Sequence, residues 1–279
     1  MRSLLIALAI ALFVCTPGYA QDEINVMTFN IRYDNRDDPN PWPDRKGEVA
    51  SIINRADLIG LQEALKTQID DLTERLPDHA WFGVGRDDGK AKGEYTCIFY
   101  RKDRFTLNGS GTFWLSETPD VPGSMSWDTS LTRICTWGKF TDKKSKKTFM
   151  MFNTHFDHRG RQARDESAKL IARMGVQLSD GAPSILTGDF NSREDSNAYK
   201  TLVELFYDAR YYTGKPPVGP HATFTNWKEV GQGSPIDYIF ILKENSQALQ
   251  PVNHVVVDEM FRGFYPSDHL PVMATIELK

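Results

Sequence analysis

The sequence predicts a single domain of the α/β class. Three observations support this: short apolar runs typical of buried strands alternate with amphipathic helical segments, residues 80–154 have the pattern of strands in series, and no stretch resembles a linker. Of the 279 residues, 40% are apolar and 25% are charged, which is the composition of an ordinary globule with a buried core. We therefore expect one folded domain over residues 21–279.

Residues 1–20 are expected to be a secretory signal peptide rather than part of the fold. An apolar run over 4–14 follows Arg2, and residues 18–20 place small side chains at two positions that a signal peptidase recognises. The run is too short to span a bilayer. A lipoprotein anchor on Cys15 is disfavoured because the residue before it, a valine, is not small. The sequence thus predicts export to the periplasm or the extracellular space.

The predicted mature chain has no excess of positive charge that would hold a polyanion. Arg2 is the one basic residue of the signal segment, so 32 basic residues face 37 acidic ones and the net charge is −5. Attraction to a phosphate must then be local or mediated by a metal ion. Long nucleic acid is not favoured as a substrate.

The first part of the mature chain is expected to contain two strands and two helices. Residues 24–31 are apolar on both faces, as a central strand is, and this strand ends at Asn30. Residues 32–44 contain three prolines and form a loop in which Trp42 is expected to plug the core. A helix over 46–54, a strand over 56–63 that ends at Glu63, and a helix stopped by Pro77 follow.

Five strand-like runs then follow one another without helices, which predicts a series of antiparallel hairpins. They occupy 80–85, 95–101, 105–113, 133–141 and 148–154. Cys97 and Cys135 lie in these runs, and either a disulfide or two buried thiols would fit an exported protein. Residues 143–147, mostly lysine, mark a solvated turn. The loop over 112–119 has the form of a substrate-facing loop, with a structural role for Trp114 as the alternative.

Two histidines follow the last of these strands. At a strand end His155 and His158 would point to opposite sides, and no third ligand lies nearby, so zinc binding is not expected. His155 is predicted to bind phosphate or to handle a proton. His158 is left without a role.

An apolar run over 183–191 stops abruptly at Gly-Asp-Phe-Asn, and a helix over 160–178 leads into it. Asp189 and Asn191 are two residues apart, so they would point to the same side of an extended segment. Both offer oxygen to a hard cation or to an attacking water. An Asx turn after the strand explains the same residues equally well.

The last third of the chain is expected to hold one helix and two strands. These elements are a helix over 196–205, an irregular loop over 216–220, a strand over 234–241 and a closing strand through Ile276. Ser196 has the position of a helix N-cap. Asp237 lies near the start of the first strand, and Asp268 and His269 are adjacent in the loop before the closing strand.

Eight polar residues share one kind of position, where an apolar strand ends or a loop rich in Pro or Gly begins. They are Asn30, Glu63, His155, Asp189, Asn191, Asp237, Asp268 and His269. Any one of them is explained by a cap or a surface charge. Eight together are hard to explain as solvated surface, so we predict that they converge on an active site.

These residues fall in short motifs spread over the mature chain. The motifs are Phe29-Asn30, Leu61-Gln62-Glu63, Asn153-Thr154-His155, Gly188-Asp189-Phe190-Asn191, Ile236-Asp237-Tyr238 and Ser267-Asp268-His269. In this order they closely resemble the endonuclease/exonuclease/phosphatase superfamily, which includes deoxyribonuclease I and the inositol polyphosphate 5-phosphatases. Residues 114–119 are similar to a bacterial exported branch of it.

The resemblance implies a fold and a chemistry. The fold is a four-layer α/β sandwich, in which two mainly antiparallel β-sheets pack face to face with helices on the outside. The chemistry is divalent-metal-dependent hydrolysis of a phosphoester, usually with magnesium.

The resemblance also implies a metal site. Glu63 resembles the principal magnesium ligand, with Asn30 and Asp268 in the same coordination sphere. Hard oxygen donors suit Mg²⁺ or Mn²⁺ better than zinc. Some family members carry an acid two positions after the first Asn, where this chain has Arg32, so Arg32 is assigned to the phosphate instead.

The remaining polar residues receive catalytic roles. Asp189 would orient or deprotonate the attacking water, and Asn191 would hold a phosphoryl oxygen. Asp237 and His269 resemble an acid–imidazole pair, and His155 would be the second imidazole on the phosphate. Whether His269 or Asp189 is the general base stays open. Further substrate contacts are assigned to Trp114, Glu117 and Arg133.

The predicted function is that of an exported, divalent-metal-dependent phosphoesterase acting on a phosphodiester or a phosphomonoester. Its substrate would be a nucleic acid, a phospholipid or a small phosphoester, and the protein would act as a monomer without an obligate protein partner. The alternatives are a lipid or sugar phosphatase or a sphingomyelinase-like phospholipase, and a non-catalytic binding protein. A binding protein would be expected to have lost a strand-end acid or His269, and none is replaced. Loops 32–44, 114–130 and 211–234 are expected to form the pocket walls.

Overall fold

The structure is a computed structural model that describes residues 22–228 and 230–279, so the predicted signal peptide lies outside the described residues. The strands are β1 (Glu23–Asn30), β2 (Leu58–Gln62), β3 (His79–Phe82), β4 (Ile98–Arg101), β5 (Phe105–Trp114), β6 (Ile134–Asp142), β7 (Thr148–His155), β8 (Ser184–Asp189), β9 (Phe206–Asp208), β10 (Asp237–Leu242), β11 (Leu249–Val256) and β12 (Val272–Leu278). The helices are α1 (Trp42–Ile53), α2 (Lys66–Arg75), α3 (Arg161–Ser179), α4 (Asn197–Leu205) and α5 (Ala209–Tyr212), with a 3₁₀ turn at Ser246–Ala248.

The strands form two six-stranded sheets. The first has the order β11-β12-β1-β2-β4-β3 and the second has the order β5-β6-β7-β8-β10-β9. Neighbouring strands are antiparallel except for the pairs β1–β2 and β7–β8, which are parallel. Because parallel neighbours need a crossover, α1 connects the first pair and α3 connects the second. Each parallel pair therefore presents two carboxyl ends at the same edge of its sheet.

The two sheets pack face to face. Val26 and Leu58 from the first sheet and Met151 and Ile185 from the second belong to one buried apolar cluster. Helices α1 and α2 cover the outer face of the first sheet, and α3 and α4 cover the outer face of the second. The four-layer sandwich implied by the resemblance is confirmed.

A buried amide fixes one sheet to the other near the site. The Asn153 Oδ1 atom accepts a hydrogen bond from Gln62 (2.7 Å), and its Nδ2 donates to the backbone oxygens of Leu61 (2.9 Å) and Cys97 (3.0 Å). Gly60 leaves room for this side chain, because a Cβ atom there would lie 2.4 Å from Asn153 Oδ1. The contact sets β7 against β2, and with them the strand ends that carry the site.

Two predicted boundaries differ from the structure. The hairpin series is interrupted, since β4 and β5 are consecutive in the chain but belong to different sheets. The loop that starts at residue 32 ends earlier than expected, because α1 already begins at Trp42. Pro41 is the N-cap, and Pro43 lies in the first turn, where its missing N–H costs little. Trp42 is buried and plugs the core as expected.

Three elements near the C-terminus were not predicted. They are β9, α5 and β11. In β11 the register shifts between Pro251 and Asn253, which breaks the alternation that identifies a strand in the sequence. The strand lies at the edge of its sheet, where a proline is tolerated.

Three further findings concern the two cysteines, the lysine-rich turn and the question of membrane-spanning helices. Cys97 and Cys135 are free and buried, so the structure has the two thiols rather than the disulfide. Lys143 and Lys147 bond to the backbone oxygens of Lys102 and Leu278, at the surface, as a solvated turn would. Across the described ranges, no helix combines the length and the apolar character needed to cross a bilayer.

Candidate active site

Four of the predicted site residues lie at the ends of the parallel strands. Asn30 ends β1, Glu63 follows β2, His155 ends β7 and Asp189 ends β8. His155 pairs with Asp189 in the ladder between β7 and β8. Asp237, at the start of the antiparallel strand β10, lies opposite Asp189. The topology thus brings residues from both sheets to one edge of the sandwich.

A cavity of about 500 Å³ opens at this edge. Its lining consists of Arg32, Tyr33, Asp38, Glu63, Glu94, Leu131, Arg133, His155, His158, Asp189, Asn191, Phe224, Asn226, Trp227, Asp268 and His269. Asn30 and Asp237 are fully buried next to it and hydrogen-bond to residues of the lining. The structure therefore brings all eight predicted strand-end residues together.

His269 is held by a carboxylate. Its Nδ1 lies 3.0 Å from Oδ2 of Asp237, and that oxygen also accepts a hydrogen bond from the Thr223 hydroxyl (2.6 Å). Burial would lower the pKa of His269, but the carboxylates of Asp237 and Asp189 outweigh burial and raise this pKa well above 6.5. The geometry is that of an acid–imidazole pair whose ring is protonated at neutral pH.

Asp189 is buried and receives hydrogen bonds on both oxygens. Its Oδ1 accepts from the Asn191 backbone N–H (2.9 Å) and its Oδ2 accepts from the Asn30 amide (3.0 Å). The same Oδ2 lies 3.4 Å from His155 Nε2 and 3.7 Å from His269 Nε2. Burial and the nearby Asp237 charge raise the pKa of Asp189. Asp189 is therefore poised to exchange a proton near neutral pH.

Asn191 and His155 form a second pair on the cavity. Asn191 has φ of 45°, so the chain turns after Asp189 and the predicted Asx turn is present together with the site. The Asn191 amide donates to the Phe156 backbone oxygen (3.1 Å) and lies 3.2 Å from His155 Nε2. Burial, with the charges of Arg133 and Arg86, lowers the pKa of His155 well below 6.5, so this ring is neutral.

Asn30 contacts Glu63 on one side of the site and Asp189 and His269 on the other. Its Nδ2 lies within 3.0 Å of both Glu63 Oε1 and Asp189 Oδ2, and 3.4 Å from His269 Nε2. Its Oδ1 accepts from the Arg32 backbone N–H (3.0 Å), which leaves this oxygen one further lone pair for a cation. In this geometry Asn30 orients Glu63 and Asp189, while its predicted role as a metal ligand stays a prediction.

Glu63 and Asp268 fit a hard cation. Oε2 of Glu63 and Oδ2 of Asp268 lie 3.9 and 4.0 Å from the guanidinium of Arg32, which is itself bound by both oxygens of Asp38 at 3.0 Å. Burial, reinforced by the charge of Glu63, raises the pKa of Asp268. A divalent cation between these oxygens would offset the free-energy cost of keeping two carboxylate charges close together in a buried place. Oxygen donors of this kind are the ligands that Mg²⁺ or Mn²⁺ prefers.

Asp189, Asp237 and His269 offer a second group of ligand atoms, within 4.8 Å of one another. The oxygens of Asp237 in this group are already engaged by His269 and Thr223. Glu63 accepts hydrogen bonds from the Asn30 amide and the Tyr33 backbone N–H, and Asp268 accepts one from the Ser267 hydroxyl. The side chains of Glu63 and Asp268 are 15% and 10% exposed, against 1% for Asp189 and Asp237, so Glu63 and Asp268 are the more accessible candidates for a cation.

A buried arginine fixes the backbone next to Asn30 and Asp268. The Arg45 guanidinium donates to the backbone oxygens of Ile31 and Arg32, after β1, and of Pro266, before the Ser-Asp-His motif. The backbones of Arg32 and Glu63 are in the left-handed region, with φ of 55° and 59°. Such conformations cost free energy and are typical of functional sites.

Two predicted substrate contacts lie outside this cavity. Trp114 is buried, and its Nε1 donates to the backbone oxygen of Arg86 (2.7 Å), so its role is structural. Glu117 lies on a separate surface hollow beside Lys169 and Arg173. Trp114 is the last residue of β5, and its backbone N–H donates to the Pro119 oxygen (2.8 Å), which closes a turn that contains Glu117 and lies outside the cavity lining. Loop 114–130 thus gives no residue to the cavity lining, whereas Arg32 and Arg133 do belong to it.

Sequence reasoning missed several residues of the lining. Glu94 lies just before β4, and both its oxygens bind the Arg86 guanidinium (2.6 and 3.0 Å). Asp38, Phe224 and Trp227 come from loops 32–44 and 211–234, which the sequence predicts as pocket walls without singling out these residues. None of these residues ends an apolar run, so the pattern that identified the other site residues could not find them.

His155 and His158 line the same cavity, and the prediction that they face opposite sides is wrong. The chain leaves the strand after His155 and turns at Asp157, whose Oδ1 accepts the backbone N–H groups of Arg159 (2.9 Å) and Gly160 (2.7 Å). The turn brings His158 back to the cavity.

Asp157 is buried behind the cavity lining and connects two segments of it. Its Oδ2 accepts from the Ser130 backbone and hydroxyl (3.1 and 2.8 Å) and from the Leu131 backbone (3.2 Å), and lies 3.6 Å from Arg133 Nε. We call Leu131, Arg133, Asp157 and His158 the Asp157 wall. Although burial opposes it, these donors and the Gly160 N–H hold the pKa of Asp157 well below its usual range.

Replacing Asp157 with asparagine is expected to lower the free energy of unfolding by about 2 kcal/mol or more at pH 7, because several buried donors lose a charged acceptor. The depressed pKa makes this stabilisation complete above 3.8 and smaller as the pH falls below that value. Urea unfolding of both proteins at pH 7 and pH 3 measures the difference. The exposed variant Asp120→Asn should match the wild type, and a pH-independent gap would contradict the argument.

The two-sheet sandwich with this centre at its edge defines the deoxyribonuclease I-like class of proteins. A family model described as "Endonuclease/Exonuclease/phosphatase family" matches residues 27–269. The chain belongs to this family, whose members are divalent-metal-dependent hydrolases of phosphoric esters.

Solved structures of bacterial proteins are similar over almost the whole chain. An endonuclease/exonuclease/phosphatase from Bacteroides vulgatus is 40% identical with a TM-score of 0.87, over 93% of this chain and 100% of that one. A mannosyl-6-phosphatase from Bacteroides thetaiotaomicron VPI-5482 is 36% identical with a TM-score of 0.84, over 91% and 99% of the two chains.

A viral protein is similar in sequence as well. An uncharacterized protein of Acanthamoeba polyphaga mimivirus is 26% identical, over 85% of this chain and 92% of its own.

Proposed function

We propose that this protein is an exported, magnesium-dependent phosphatase that acts on a small phosphomonoester. The observation that carries the proposal is the convergence of two groups in one cavity. Glu63 and Asp268 form an oxygen-donor pair suited to a hard cation, and Asp189 and His269 form a proton-exchanging pair beside it. Mn²⁺ would serve in place of Mg²⁺, since both ions prefer oxygen donors.

Six residues of the centre have roles in this reaction. A divalent cation bound by Glu63 and Asp268 would neutralise charge on the phosphoryl group. Asp189, with its raised pKa, takes a proton from the attacking water. The protonated His269 donates to a phosphoryl oxygen, and Asp237 keeps its ring oriented. The fixed guanidinium of Arg32 adds a third positive group beside the phosphate.

Three observations favour a small substrate over a polymer. The cavity of about 500 Å³ has the size of a small-molecule site. The mature chain has a net charge of −5, which disfavours long nucleic acid. The similarity to a mannosyl-6-phosphatase at 36% identity makes sugar phosphates the first class to test.

The predicted signal segment at residues 1–20 supports the proposal of export to the periplasm or beyond. Fractionation of cells that express the full chain, with sequencing of the mature N-terminus, tests it. We expect a product that starts near residue 21 outside the cytoplasm.

A substrate panel tests the proposed activity. Purified protein is assayed for phosphate release from hexose 6-phosphates and nucleoside monophosphates, and for cleavage of a phosphodiester, of sphingomyelin and of DNA. Each assay is run with Mg²⁺, with Mn²⁺ and with excess EDTA. We expect metal-dependent turnover of a phosphomonoester that EDTA abolishes and added Mg²⁺ restores. Turnover that survives EDTA would contradict the proposed metal dependence. Hydrolysis of no phosphoester with either metal would contradict the proposed activity and favour a binding protein.

A further inference from the structure

We propose that His158 is a specificity-determining residue that donates a hydrogen bond to a hydroxylated leaving group, so that the preferred substrate is the phosphate ester of a sugar. The inference rests on the proposed phosphatase activity and deepens it. His158 lines the cavity, and its ring is hydrogen-bonded to Arg133 rather than to a residue that we assign to the cation or to proton transfer, so it is available to another part of the substrate.

The first argument is the tautomer of the His158 ring. Nη2 of Arg133 lies 3.1 Å from His158 Nδ1, and a guanidinium can only donate, so Nδ1 must be the acceptor. The neutral ring then carries its proton on Nε2, the nitrogen away from Arg133. His158 is exposed, but partial desolvation of its ring and the charge of Arg133 lower its pKa, which favours the neutral ring at pH 7. His158 thus offers one oriented N–H donor.

The second argument is that the donor is preorganised. Arg133 is buried, and its Nε lies 3.6 Å from the Asp157 carboxylate. The same carboxylate accepts hydrogen bonds from the backbone N–H groups of Leu131 and Gly160. The Asp157 wall therefore joins residues 130–133 to residues 157–160 as one unit. A donor that is already fixed loses little entropy when it binds a ligand.

The third argument concerns charge. The carboxylates of Asp157 and Glu94 equal in number the guanidiniums of Arg133 and Arg86, and both Glu94 oxygens bind Arg86. The formal charges on this side of the cavity therefore cancel, although the buried Nε and Nη1 of Arg133 have no hydrogen-bond partner among the described residues. A neutral hydroxyl group can accept a hydrogen bond from a fixed N–H donor and donate one to a carboxylate oxygen, so hydroxyl groups suit this side of the cavity.

Aromatic side chains complete the lining. Phe224 is 44% exposed, and its ring centroid lies 4.9 Å from that of His269. Trp227 also faces the cavity. A sugar ring has both apolar C–H faces and polar hydroxyls, so a lining with aromatic faces and fixed donors fits it better than it fits a lipid chain or a plain alcohol.

The test compares two phosphomonoesters in the variant His158→Ala. For mannose 6-phosphate we expect kcat/KM to fall about tenfold, mainly through KM, because one hydrogen bond to the leaving group is lost. For 4-nitrophenyl phosphate, which has no sugar hydroxyls, we expect a change of less than twofold. His158→Gln, which keeps a side-chain N–H donor, should recover part of the loss. His221→Ala removes an exposed histidine outside the cavity and should leave both substrates unaffected.

Binding gives a readout that is independent of turnover. In the Asp189→Asn background with Mg²⁺, calorimetry measures the affinity of mannose 6-phosphate relative to inorganic phosphate, and His158→Ala should reduce this ratio about tenfold. Equal losses on both esters, or an unchanged affinity ratio, would overturn the inference. A wild-type protein that hydrolyses no phosphoester would contradict the proposed function alone, since the affinity ratio would still decide the role of His158.

Discussion

Replacing Asp189 with asparagine is expected to reduce kcat about a thousandfold or more with the fold intact. The Asp189 carboxylate accepts a hydrogen bond from Asn30 and lies near both His155 and His269. Its loss therefore removes the proton acceptor and the group that these three residues share. The amide has the same shape, and the Asn191 backbone N–H still finds an oxygen to bind. Steady-state kinetics on the best substrate of the panel, with circular dichroism for the fold, measure the effect.

The matched control for this variant is Asp195→Asn, which makes the same chemical change at an exposed position of the following loop. Its kcat should stay within about twofold of the wild type. Because Asp189 is assigned to the chemical step, KM and the affinity for the divalent ion should change little in Asp189→Asn. A variant that keeps more than a tenth of the wild-type kcat would remove Asp189 from the mechanism.

Replacing Glu63 with glutamine is expected to weaken Mg²⁺ binding about a hundredfold. Glu63 supplies one of the two carboxylates that face the cation position, and the guanidinium of Arg32 remains 4.0 Å from the other, Asp268. Removing one negative charge leaves a donor set too weakly charged to hold the ion against that guanidinium. Calorimetric titration with Mg²⁺ measures the affinity directly.

The kinetics of Glu63→Gln should separate a metal ligand from a catalytic group. Activity that is lost at low Mg²⁺ should return in part at high Mg²⁺, which is not expected for Asp189→Asn. The exposed residue Glu74 on α2 provides the control variant Glu74→Gln, with wild-type Mg²⁺ affinity. If Glu63→Gln bound Mg²⁺ as tightly as the wild type, the cation would have to be assigned elsewhere, and the group of Asp189, Asp237 and His269 would be the next candidate.

The structure also changes the meaning of some predicted residues. Trp114 was predicted to meet the substrate because it closes a strand beside polar residues, yet its indole is turned inward to the Arg86 backbone. Strand geometry alone places His158 away from His155, whereas the turn at Asp157 returns it to the cavity. In both cases the side-chain direction depends on contacts with residues distant in the chain.

The sequence by itself determined the α/β class, the family resemblance that implies the four-layer sandwich, and the eight strand-end residues, from Asn30 to His269, that the structure gathers at one edge. This was possible because an apolar run that stops at a polar residue is a local pattern, and the edge of a sheet is where such runs end. Only the tertiary structure decided the split of β4 and β5 between two sheets, the ion pairs of Arg32 with Asp38 and of Glu94 with Arg86, and the Asp157 wall. These features depend on packing between segments far apart in the chain, and no local pattern encodes such packing.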